Sequence, residues 1–60
     1  MEKLIELREQ NRMQAIDLAR ACGVTRQHIS NIEHGKVKPS VELAKKFGQI
    51  FGVDWKMFFD

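Results

Sequence analysis

Apolar positions return every three or four residues along this chain, and nowhere alternate for long enough to suggest a strand. Residues 2–11 bring Leu4, Ile5 and Leu7 toward one side. Residues 15–22 place Ala15, Leu18, Ala19 and Cys22 within one arc, and Gly23 supplies the usual helix stop. Thr25 is a good N-cap for a helix holding Ile29 and Ile32, and Gly35 stops it. After Pro39, Ser40 caps a fourth helix with Val41, Leu43, Ala44, Phe47, Ile50 and Phe51, ending at Gly52. Asp54 caps a last short helix, Trp55–Phe59. The pattern predicts an all-α fold, a compact five-helix bundle forming a single domain over residues 1–60. Repeats, linkers and low-complexity segments are absent.

The stretch "AIDLARACGVTRQHISNI" reads as two short helices joined by a tight turn at Gly23. That is a helix-turn-helix, whose second member typically lies in the DNA major groove. A lone glycine is weak evidence for this geometry; the side chains of the third helix strengthen it. At about 100° per residue, Arg26, Gln27, Ser30 and Asn31 fall within roughly 140°, with Ile29 and Ile32 opposite. Ordinary solvent-facing helices favour Glu and Lys instead. Arg can reach two acceptors on guanine, and Gln or Asn can pair with the donor and acceptor of adenine. Such a face is suited to reading bases.

Composition narrows the alternatives. The chain has 60 residues. A domain of this size buries only about 60% of the surface its unfolded form exposes. A deep enzymatic pocket does not fit, and no nucleophile is paired with a base, so no catalytic residue is expected. The formal net charge is only +2. Residues 1–24 balance their charges, whereas Arg26, Lys36, Lys38, Lys45 and Lys46 face only Glu33 and Glu42 over residues 25–46. This basic excess, on and after the third helix, is a modest footprint for a polyanion.

Cys22 is the lone cysteine, so an intramolecular disulfide is ruled out and a reducing compartment fits. No apolar run approaches the ~20 residues of a membrane span. Glu2, Glu6 and Glu9 interrupt any signal peptide, so a soluble cytoplasmic protein without membrane contact is expected. The spacing of Cys22, His28, Glu33 and His34 matches no metal site, and neither metal nor cofactor is expected. No small-molecule ligand is evident, for want of a second domain.

Two further features concern positioning and assembly. Arg8 projects on the inward side of the first helix and Glu33 at the inward edge of the third. Charges near a core are costly unless paired, so the two are expected to meet. The fourth helix confines Glu42, Lys45, Lys46 and Gln49 to about 100° of arc. The last helix, "WKMFF", is largely apolar and too short to bury everything against its own chain. Ile50, Trp55, Met57, Phe58 and Phe59 are therefore expected to form the interface of a twofold homodimer.

Over nearly its whole length the chain resembles the lambda/434 repressor and Cro family of helix-turn-helix domains, often called the XRE family. The matching elements are "LIELRE", "LARACGVTRQHISNIEHGK", "PSVELAKKFGQIFGV" and a short terminal helix. The resemblance implies a regulator that binds double-stranded operator DNA, usually as a dimer, and commonly represses transcription. Carried across by position, it implies Arg26, Gln27 and Asn31 as base readers, with Ser30 beside them. It also implies Thr25, His28, Lys36 and Lys38 at the phosphate backbone.

Two departures stand out. The family usually opens its second helix with Thr-Gln, and this chain has Gln14 and Ala15 there. Either Gln14 takes over the phosphate contact from the cap position or that contact is missing. Ile16 occupies a normally polar position. Two other functions compete with a DNA-binding repressor. One is an antitoxin that also binds a protein toxin, although no extra tail is present for it to grip. The other is a protein-interaction module without DNA binding, which the Arg/Gln/Asn face argues against.

Overall fold

The computed structural model describes residues 1–59. Four α-helices follow one another: α1 (Glu2–Gln10), α2 (Ala15–Cys22), α3 (Arg26–Glu33) and α4 (Val41–Phe51). The last described element is a 3-10 helix, Trp55–Phe59. Three helix starts and the end of α2 have a local chemical cause. Asp17 in the first turn of α2 accepts the Gln14 N–H at 2.7 Å. Thr25 Oγ1 accepts the His28 N–H at 3.1 Å, and Ser40 Oγ accepts the Leu43 N–H at 3.1 Å. These side chains satisfy amides that a helix start otherwise leaves without partners. At the end of α2, Gly23 adopts φ 71°, which lets the Val24 N–H fold back to the Ala19 carbonyl at 3.0 Å.

The core draws on every element. Leu4 comes from α1; Leu18, Ala19 and Cys22 from α2; Ile29 and Ile32 from α3; Leu43, Ala44 and Phe47 from α4. Burying each of the larger side chains contributes about 1.5–3 kcal/mol. The shared core fixes α3 relative to α2, and so holds the helix-turn-helix as one unit.

The C-terminal segment differs from expectation in two ways. First, the five-helix count is not met, because Trp55–Phe59 is a 3-10 helix. The Met57 N–H bonds to the Asp54 carbonyl at 3.1 Å, three residues back. This tighter winding brings positions i and i+3 to the same side. It brings half-buried Trp55 and buried Phe58 into line, closing the offset of about 60° that an α-helical i, i+3 pair keeps. Second, Phe58 is a core residue and not a surface one, being only 4% exposed. Its ring meets Phe47 edge-on with centroids 5.5 Å apart. The small core uses this aromatic, so Phe58 is removed from the expected dimer surface.

Gly48 makes that return possible. A Cβ there would lie 2.8 Å from the Val53 carbonyl oxygen and 3.1 Å from Trp55 Cβ. The missing side chain lets the segment after α4 fold back against the helix.

Candidate nucleic-acid interface

Helix α3 is held from beneath by Ile29 and Ile32, both essentially without solvent exposure. On the other side Arg26 and Gln27 are exposed, while Ser30 and Asn31 are half-buried. All four lie on α3, and they are not equally free. Gln27 Nε2 donates to Asn31 Oδ1 at 3.0 Å. Ser30 is engaged with His34, whose Nδ1 lies 2.8 Å from the Ser30 carbonyl and 3.3 Å from its hydroxyl. Arg26 carries the uncommitted guanidinium at the N-terminal end, where it is free to extend from the helix.

The expected phosphate-contacting residues lie at the start of α2, at the start of α3 and in the loop after it. Thr25 uses its oxygen as the N-cap acceptor, which leaves the hydroxyl proton available for donation. His28 is half-buried; Lys36 and Lys38 are exposed in the loop after α3. That loop is pinned to the helix, because the Asn31 carbonyl accepts the Lys36 N–H at 2.8 Å and the Val37 N–H at 3.4 Å. Gln14 is exposed at the start of α2. Its backbone N–H is already bound by the Asp17 carboxylate, which sets a negative charge at this helix start. Ala15 offers no polar side chain, and Ile16 is half-buried; nothing in the structure explains the choice of isoleucine there.

Arg8 Nε donates to Glu33 Oε2 at 2.7 Å, with the two side chains 16% and 5% exposed. Arg8 Nη1 also donates to the Met13 carbonyl at 2.9 Å. One guanidinium thus ties α1, the α1–α2 turn and the end of α3 together. The Met1 nitrogen adds a further bond between the start of the chain and the Glu33 carbonyl. These contacts set the angle at which the exposed face of α3 is presented.

Sequence reading missed several positioning contacts. Lys46 Nζ reaches the Cys22 carbonyl at 3.2 Å, so α4 places a cation at the C-terminal end of α2. Burial pushes the neighbouring Cys22 thiol above its ordinary pKa, and Lys46 partly offsets this. Arg12 adopts a left-handed backbone with φ 55° in the α1–α2 turn. A Lys on a helix at i and a carbonyl 24 residues away share no sequence pattern, and neither does an arginine at positive φ.

Of the other residues expected at a dimer surface, Phe59 is 44% exposed, and Ile50, Trp55 and Met57 are half-buried. Lys45 Nζ sits 5.3 Å from the centre of the Trp55 ring. Phe59 lines a surface groove of about 310 Å³ with Met1, Lys38 and Phe58. Among the described residues, no group of three or more His, Cys, Asp or Glu could hold a metal ion. No helix among them is long and apolar enough to cross a membrane.

The family model described as helix-turn-helix matches residues 4–58. An uncharacterized HTH-type transcriptional regulator of Bacillus subtilis, YqaF, is 41% identical over 44 residues, covering 73% of this chain and 58% of its own length. An uncharacterized HTH-type transcriptional regulator of Methanocaldococcus jannaschii is 54% identical over 37 residues, covering 62% of this chain and 56% of its own. The aligned stretches thus span just over half of each relative. No solved structure gives a significant match. With the family match running from α1 into the terminal 3-10 helix, this chain belongs to the helix-turn-helix family, of the lambda repressor and Cro type.

Proposed function

We propose that this chain is a sequence-specific DNA-binding transcriptional regulator, acting as a dimeric repressor on a roughly palindromic operator. Helix α3 enters the major groove, where Arg26, Gln27, Ser30 and Asn31 face base edges. Gln14, Thr25, His28, Lys36 and Lys38 meet the phosphates. The observation that carries this reading is the α3 face itself. Its buried side is locked into the core, while its outer side holds out a guanidinium and two amides, the groups that match guanine and adenine. The names of the two relatives, both HTH-type transcriptional regulators, support the same class. A free thiol and DNA as partner fit a cytoplasmic protein.

Selection of bound sequences from a random double-stranded DNA pool tests this. A palindromic motif with half-sites about one helical turn apart, near 34 Å, is the expected outcome. No enrichment would remove DNA reading and favour a protein-interaction module.

A further inference from the structure

The two amides of the α3 face share a hydrogen bond, Gln27 Nε2 to Asn31 Oδ1, at 3.0 Å across one helical turn. Two independent amides could each take an adenine, giving its N7 an N–H and its N6 a carbonyl oxygen. Sharing a bond changes that inventory. One N–H is consumed and one carbonyl oxygen is tied, whichever amide donates. Three N–H groups and one wholly uncommitted oxygen remain, and the bonded oxygen keeps a single lone pair beside the shared bond.

The partners also differ in freedom. Gln27 is exposed, whereas Asn31 is half-buried. The Asn31 backbone carbonyl is further held by the Lys36 N–H at 2.8 Å. By its lower exposure Asn31 is the more confined member and Gln27 the arm it steadies.

Resting on the DNA-binding reading above, we propose that Gln27 and Asn31 act as one reading unit that accepts a single adenine and an acceptor-rich neighbour. The free oxygen and one N–H take the adenine. The other two N–H groups are left for acceptors on the adjacent base pair, such as guanine N7 and O6 or thymine O4. In water an exposed amide pair of this kind is weak. In a groove from which water has been displaced, an amide left without a partner is penalised, and the shared bond is retained. The loss of either residue then frees the other to turn its amide.

A double-mutant cycle on the full chain tests the unit. Gln27→Ala, Asn31→Ala and the double variant are each put through random-pool selection, and their affinities are measured on the duplex that the wild type selects. Both single variants are expected to relax preference at the same two adjacent base pairs. The double variant should lose at least about threefold less affinity than the product of the single losses. Losses that multiply, with preferences relaxed at separate base pairs, would overturn the unit while leaving DNA reading intact. A wild-type protein that enriches no sequence would remove both. Circular dichroism shows that each variant keeps its fold, and in folded, DNA-free Gln27→Ala the Asn31 side-chain amide proton shifts should change while backbone amide shifts away from α3 stay as in the wild type. Unchanged Asn31 side-chain shifts would also overturn the pairing.

Discussion

Arg26 and Lys36 are both exposed cations near α3, yet they are expected to fail differently when removed. Arg26 extends from the helix, where a bidentate contact to guanine is worth about 1–3 kcal/mol of discrimination. Arg26→Ala should cost that much on the preferred site and relax one base pair. Lys36→Ala should weaken all sequences alike and reduce the salt slope by about one. Equal loss on cognate and random DNA for Arg26→Ala would contradict its role as a reader.

The Arg8–Glu33 pair is asymmetric in the same residue-level sense. Glu33 is 5% exposed, so Arg8→Ala strands a buried carboxylate and should cost about 3 kcal/mol. Glu33→Ala leaves an arginine that is 16% exposed and still bound to the Met13 carbonyl, so a smaller loss of about 1–2 kcal/mol is expected. Denaturant titration of both variants decides; equal losses would mean burial does not set the cost. Cys22 adds a pH dependence. Its thiol is raised above the ordinary 9.0, so the folded chain keeps a proton that the unfolded chain releases. The stability linked to it is complete below about pH 9 and is lost as pH rises toward the folded value. Wild type should therefore lose stability more steeply above that pH than Cys22→Ala does, and parallel pH profiles would count against this.

At the scale of elements, α4 and the terminal 3-10 helix behave as one unit through Gly48. Alanine favours a helix interior over glycine by about 1 kcal/mol, so Gly48→Ala would stabilise an isolated α4. Here the added Cβ meets the Val53 carbonyl at 2.8 Å, a backbone atom that cannot swing aside. Packing should win, with a net loss of about 1–3 kcal/mol and displacement of Trp55. Denaturation followed by fluorescence of Trp55, the single tryptophan, reads both effects. A more stable variant would mean the segment beyond Gly52 packs loosely. The caps of α3 and α4 were legible in the sequence because Thr25 and Ser40 act within three residues of themselves. The 3-10 geometry was not, since five residues carry no distinguishing periodicity and the requirement to bring Phe58 to Phe47 is set by α4.

For the molecule as a whole, the Cα trace measures 23 × 23 × 20 Å. The burial of Phe58 separates assembly from folding. Phe58→Asp puts a charge against Phe47 and should unfold the chain. Phe59→Asp changes a residue that is 44% exposed and should leave a folded monomer that binds DNA weakly. Circular dichroism and sedimentation of the two variants separate these outcomes. A Phe59→Asp protein that keeps the wild-type mass would rule Phe59 out of a dimer contact.

Helix positions, the N-caps and the polar character of the α3 face were determined by the sequence alone, because each depends on residues within about one helical turn of one another. The inward placement of Arg8 and Glu33 also showed, since a charge on an apolar face demands a partner. Tertiary structure decided what depends on distant segments meeting. It made Phe58 a core residue, because the space above Phe47 needed filling. It also gave the Arg8 guanidinium the Met13 carbonyl as a second acceptor, and gave the Cys22 carbonyl the Lys46 ammonium. The link between Gln27 and Asn31 lies between these cases. Their i, i+4 spacing was visible, but whether two amides bond to each other or stand apart depends on rotamers, and Asn31 is half-buried where the chain returns along α3.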